Sequence, residues 1–164
     1  MDTMPKRKSP RMKGFDYATP TSYFITICTH EKRCLFGSPN LLNQYGLLAR
    51  QTVLELPVLF PCVSIDHFVV MPNHVHLLLT INAGDARSFP SVPTIVGTYK
   101  SRVSRLIHQH KPDINVWQRS YHDHVPRNEK SWQAIWNYID ENPFHWENDV
   151  MYVHQNAPST LQVP

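Results

Sequence analysis

The stretch CVSIDHFVVMPNHVHLLLTI, from Cys62 to Ile81, decides how this chain is organised. Two runs rich in β-branched and aromatic residues, Cys62 to Val70 and His74 to Ile81, read as strands. Only Met71-Pro72-Asn73 lies between them, a hairpin-sized gap whose Pro and Asn are turn residues. Alternate residues of a strand share a face. Val75, Leu77, Leu79 and Ile81 therefore point one way, toward a core, and His74 and His76 point the other way together. Two imidazoles on one open sheet face can both reach one divalent cation. An H-x-H by itself is more often a pair of ordinary surface histidines.

Upstream, YFITICT (Tyr23 to Thr29) reads as another strand, and Gly37, Pro39 and Asn40 mark a loop. Leu41 to Leu56, with Leu47, Leu48 and Leu54 at helical spacing, predicts a helix ending at Pro57. Downstream come a loop (Asn82 to Pro93), a second helix (Thr94 to His110) and a fourth strand (Trp117 to Val125). Asn128 is a good N-cap for a third helix from Glu129 to Glu141, which Asn142-Pro143 ends. The order β-α-β-β-α-β-α is an α+β pattern. Its first six elements match the ferredoxin-like, RRM-like plan, a four-stranded antiparallel sheet with helices on one face. An additional C-terminal helix follows, and it carries a tyrosine. The expected organisation is a basic arm (residues 1–20), one globular domain (21–150) and an irregular tail (151–164).

In the third helix Trp132, Ile135, Trp136 and Ile139 follow helical spacing and form the core face. Tyr138 and Asn142, four residues apart, stack on its flank. Spacing alone fits a half-buried tyrosine and a helix-ending asparagine at least as well as it fits a site. The net charge of +3 says little until the charges are located. The arm holds Lys6, Arg7, Lys8, Arg11 and Lys13. Between Asp85 and Asp113 no acidic residue occurs, while Arg87, Lys100, Arg102, Arg105 and Lys111 do. Together these segments can neutralise several phosphates, although a solvated helix surface is the usual meaning of such a run. His122 and His124 flank Asp123 in a second H-x-H, open to reading as ligands, phosphate contacts or plain surface residues.

Other classes recede. Cys28, Cys34 and Cys62 are odd in number and form no C-x-x-C, so reduced thiols and a cytoplasmic location are expected. No apolar run approaches the roughly 20 residues of a membrane span, and the basic N-terminus has no apolar h-region. No Gly-rich phosphate loop, G-x-S-x-G or H-E-x-x-H occurs. Asp and Glu are too scattered to suggest a carboxylate metal cage.

Val70-Met71-Pro72-Asn73-His74-Val75-His76, Trp117-Gln118, His124-x-x-Arg127-Asn128 and Tyr138-Ile139-x-x-Asn142-Pro143 together resemble the REP-associated tyrosine transposases. These belong to the wider group of single-tyrosine HUH transposases. Arg7-Lys8-Ser9, Gly14-x-Asp16-Tyr17, the Tyr23–Thr29 strand and Phe36-Gly37 extend the resemblance, which runs from about Arg7 to Trp146. It implies that residues 21–150 are a catalytic domain acting on single-stranded or hairpin DNA. His74, His76 and Asn142 would hold the metal, Mg²⁺ or Mn²⁺, although ligand softness alone equally allows Zn²⁺. Those three ligands carry no charge. Tyr138 would be the nucleophile, forming a 5′-phosphotyrosine from which strand transfer needs no ATP.

Arg7, Lys8, Arg11, Lys100, Arg102, Arg105, His124 and Arg127 are the expected DNA contacts, and a monomer or a homodimer is expected, with no membrane partner. Two places depart from the family pattern: Pro126 stands for an aliphatic residue, and Phe144-His145 for an aliphatic–lysine pair. Two alternatives stay beside this reading. One is a relaxase or replication-initiator nickase, which uses the same chemistry. The other is a non-catalytic, domesticated nucleic-acid-binding module, since fold does not fix function.

Overall fold

The computed structural model describes residues 14–84 and 89–153. Arg7, Lys8 and Arg11 of the expected arm lie outside the described residues, as do Arg87 and the tail from His154 onward. The elements run β1 (Ser22–Cys28), β2 (Gly37–Ser38), β3 (Leu41–Leu42), α1 (Gln44–Leu59), β4 (Val63–Met71), β5 (His74–Ile81), α2 (Val92–His108), β6 (His122–His124) and α3 (Glu129–Glu141). Short 3-10 segments cover His30–Lys32 and, after α3, Asn142–Asn148, the latter kinked at His145. The main sheet is antiparallel in the order β4-β5-β1-β6, which is the ferredoxin-like arrangement expected from the element order. Met71 pairs with His74, so the hairpin loop is Pro72-Asn73 alone.

The expected Leu41–Leu56 helix is corrected in two ways. It begins at Gln44, because the Asn43 side chain accepts from the backbone N–H groups of Tyr45 and Gly46. It also runs past Pro57 to Leu59. Proline in the last turn forfeits only one bond, and the N–H of Phe60 still reaches the carbonyl of Leu56. Its buried face is Tyr45, Ala49, Val53 and Leu56, whereas Leu47 and Leu54 are about half exposed. Leu41 and Leu42 instead pair with Gly37 and Ser38 in a two-stranded ribbon missed by periodicity.

The fourth strand shrinks from the expected Trp117–Val125 to His122–His124. Trp117 makes only an isolated bridge with Thr29. Beyond it, Tyr121 turns into the core, and the Lys100 ammonium takes the carbonyls of Gln118 and Ser120. Those groups are lost to the ladder. Of the caps of α2 and α3, Asn128 is the expected one, whereas Ser91 lies in the expected loop and starts α2 at Val92 rather than Thr94. Ser91 caps α2, and Asn128 caps α3 in a capping box with Ser131.

One face of the sheet carries Tyr23, Ile25, Ile27, Val75, Leu77, Leu79 and Ile81, all buried against the apolar faces of α1 and α2. Residues 14–20, expected to belong to an extended arm, fold back here. Phe15 and Tyr17 pack on this core, and the Tyr17 carbonyl accepts from the Val92 N–H at 3.0 Å. The opposite face carries His74, His76 and Leu78. It is not the open surface expected from the sequence: α3 lies across β4 and β5 on this side. A bulge between Ile65 and His67 rotates β4, which brings His67 onto that face. There its ring stacks on Trp136 with centroids 4.3 Å apart, and Trp136 in turn meets Trp132 at 5.2 Å. These rings and the fully buried Ile139 dock α3 as its periodicity predicts.

Candidate active site

His74 and His76 meet beneath α3. Their Nε2 atoms are 3.0 Å apart and both residues are essentially buried. Each imidazole is held from behind. The Asn73 side chain donates its Nδ2 hydrogens to the carbonyls of Met151 and Lys32, at 2.8 and 3.2 Å. Its Oδ1 is therefore the acceptor 2.8 Å from His74 Nδ1, so Nδ1 carries the proton and His74 Nε2 offers a lone pair. His76 Nδ1 lies 2.8 Å from the Thr26 hydroxyl, which donates or accepts by rotating. His76 can therefore donate from Nε2 to His74, or turn a second lone pair to the same point.

Burial keeps both imidazoles neutral. It pushes the His74 pKa down to about 4, with the Asp149 charge opposing, and holds His76 well below its ordinary value. The third group is one the sequence reading missed. Asp149 Oδ2 lies 4.0 Å from His74 Nε2, its side chain only 1% exposed. Among the described residues, His74, His76 and Asp149 are the group of His, Cys and acidic side chains whose ligand atoms converge, all within 4.8 Å. Asp149 follows the turn that closes α3, in a segment without periodicity, so no spacing signal marked it. Asn142 sits at the C-cap of α3 and donates from Nδ2 to Asp149 Oδ2 at 2.8 Å, while its buried Oδ1 has no hydrogen-bond partner.

This donor set fits a small divalent cation. Two ligands about 2.1 Å from an octahedral ion at right angles stand about 3 Å apart, the spacing of the two Nε2 atoms. The neutral rings spend no protons on binding, the carboxylate supplies charge, and the Asn142 oxygen is free to turn inward. The segment Asn142–Tyr152 closes one side. Trp146 packs 6.0 Å from the His74 ring, and the Met151 carbonyl is tied to Asn73.

Tyr138 stands over this cluster. Its ring lies 5.3 Å from that of His76 and 6.1 Å from that of Phe24, and it is 43% exposed, so it faces both the histidines and solvent. Partial burial and the Asp149 charge raise its pKa, and the Asn142 amide partly offsets them. The phenol is thus protonated at neutral pH, and cationic charge placed at the cluster would favour its ionisation.

The expected DNA contacts are scattered. His124 and Arg127 are exposed, His124 on the same sheet face as the histidine pair. Lys100, Arg102 and Arg105 belong to α2, on the other side of the sheet. Lys100 is spent on the carbonyls of Gln118 and Ser120, and burial lowers its pKa to about 8. Arg102 pairs with Glu55 of α1 at 2.8 Å, and Arg105 is exposed on the outer face of α2. The structure does not bring these three to the cluster.

Residues 21–142 match the family described as "Transposase IS200 like". An uncharacterised protein of Haemophilus influenzae strain Rd is 34% identical over 168 residues, covering 90% of this chain and 93% of that one. The solved structure of a REP-associated tyrosine transposase bound to a REP hairpin is similar in fold, with a TM-score of 0.55 at 19% identity, covering 90% of this chain and 92% of that one. No helix among the described residues is long and apolar enough to cross a membrane.

Proposed function

The chain belongs to the IS200-like transposase family, and on that premise we propose that it cleaves and rejoins single-stranded DNA through Tyr138. The observation that carries the proposal is the packing of the Tyr138 ring against that of His76, whose Nε2 converges with that of His74. Tyr138 Oη attacks the scissile phosphorus, the P–O3′ bond breaks, and a 5′-phosphotyrosine forms. The phenolic proton passes to solvent and the departing 3′-oxygen takes up a proton, leaving a 3′-hydroxyl. Attack by a 3′-hydroxyl on the phosphotyrosine reverses the step, which makes strand transfer possible without ATP.

His74 and His76 would hold Mg²⁺ or Mn²⁺, with Asp149 and Asn142 as the remaining donors. When bound, that cation neutralises the scissile phosphate and stabilises the leaving oxygen. Asn73 and Thr26 orient the imidazoles, and α3 fixes the approach of Tyr138. The hairpin bound by the REP-associated relative suggests the substrate, a folded-back single strand with an unpaired segment at the site.

The test uses labelled single-stranded hairpin DNA from the repeats flanking the gene, with Mn²⁺ or Mg²⁺, and a denaturing gel. A covalent protein–DNA adduct that needs the metal and vanishes in Tyr138→Phe is expected. Hairpin binding with no adduct under either metal would replace the proposal with that of a DNA-binding module.

A further inference from the structure

The face that holds the histidine pair extends one strand beyond the cluster. β6 is the edge of the sheet, and its register sets His122 opposite Thr26 and His124 opposite Phe24. Thr26 pairs on its other side with His76, and Phe24 with Leu78. Two rows therefore run across three strands, His76–Thr26–His122 and Leu78–Phe24–His124. Cross-strand partners share a face, so both β6 histidines belong to the face of the cluster, and Asp123 between them belongs to the opposite one. His122 lies two strand spacings, roughly 10 Å, from His76 along its row.

The surface between is shaped for a chain laid across it. Tyr138 overhangs β5 and β1, with Phe24 half-buried under its edge, whereas His122 and His124 are exposed. Among the described residues α3 packs chiefly on β4 and β5. β6 is short but firmly placed. Lys100 ties the carbonyls of Gln118 and Ser120, the Trp117 indole donates to the Lys100 carbonyl at 3.1 Å, and Tyr121 is buried just before the strand. The cation expected at the DNA surface thus serves to fix the strand that bears the two imidazoles.

We infer that His122 and His124 form a subsite that grips a phosphodiester next to the scissile one, so that the substrate strand leaves the cluster across β1 toward β6. The inference rests on the reading of Tyr138 and the histidine pair given above. An imidazole carries at least one N–H donor whether neutral or charged, and two such donors on alternate positions of one strand bracket a phosphate oxygen pair. Phe24, between them and Tyr138, offers its ring to the intervening sugar or base.

The experiment measures binding in the Tyr138→Phe background, where no cleavage intervenes, by fluorescence anisotropy of hairpin DNA with a single-stranded extension. His122→Ala/His124→Ala should weaken binding about 5- to 20-fold. Replacing one linkage adjoining the scissile phosphate by a neutral methylphosphonate should cost the parent a similar factor and leave the alanine pair within about 2-fold of it. His122→Gln/His124→Gln, which keeps side-chain N–H donors, should bind more tightly than the alanine pair, with melting temperatures confirming folded protein. Equal losses whichever linkage is neutralised, or no loss at all, overturn the inference, as does a glutamine pair no better than alanine. A parent that binds no hairpin overturns the broader reading itself, whereas binding that ignores the variants overturns the subsite alone.

Discussion

Asn73 Oδ1 lies 2.8 Å from His74 Nδ1 while both hydrogens of the same amide are committed to the carbonyls of Lys32 and Met151. The hairpin turn, the strap after α3 and the tautomer of His74 are thereby fixed by one side chain. Replacing Asn73 by Ala is expected to weaken Mn²⁺ binding about 10- to 100-fold, the usual cost of losing a group that orients a ligating imidazole. Isothermal titration checks it. An affinity within a factor of two of the wild type would show that His74 is oriented by packing alone.

Asp149 supplies the negative charge near the imidazole pair, and Asn142 an uncharged oxygen. Asp149→Asn should therefore reduce Mn²⁺ affinity more than Asn142→Ala does, by at least about tenfold against a few-fold. Titration of both variants ranks them. The reverse order would give Asn142 the principal place.

Trp136 holds α3 on the sheet through the His67 stack rather than touching the cluster. Trp136→Ala is expected to lower stability by about 1–3 kcal/mol and to slow adduct formation as Tyr138 loses its placement. Mn²⁺ affinity should stay within a few-fold, because the histidines are oriented from β1 and the hairpin turn. Loss of both properties together would mean that α3 organises the imidazoles as well as the tyrosine.

Tyr23 is buried and donates its hydroxyl to the Thr19 carbonyl at 2.8 Å. Burial first, and then the Asp16 charge, push its pKa from 10.0 up to about 12. Since the folded value lies above the unfolded one, the neutral phenol contributes stability that is complete below pH 10 and is lost as pH climbs toward 12. Chemical denaturation across that window should show the wild type losing stability faster than Tyr23→Phe. Parallel slopes for the two proteins would place the alkaline limb on other groups.

Much of this architecture is legible without coordinates because it follows from local rules. The alternation Val75, Leu77, Leu79 against His74, His76 gave the two faces of β5, and Asn128 with the spacing of Trp132, Trp136 and Ile139 placed α3. Local rules are insufficient where spacing or composition is read without knowledge of the packing partners. Leu47 and Leu54 look like a core stripe but face solvent, because Ala49 and Val53 pack closer to the sheet. Lys100 and Arg102, expected as DNA contacts, bond within the chain to backbone carbonyls and to Glu55, which composition does not reveal.

The sequence by itself determined the order of the four main-sheet strands and the three helices, the shared direction of His74 and His76, and the four-residue stacking of Tyr138 with Asn142, since each depends only on the period of a strand or a helix. Tertiary structure alone decided three things. It set α3 over the histidine face, so that the imidazoles are buried and neutral. It brought Asp149 to His74 across 75 residues of chain through an aperiodic turn. It aligned His122 with His76 through a strand that is neighbour to neither in sequence. The reason is the same in each case: sheet register and packing join residues by free energy summed over many distant contacts, and no local period encodes that sum.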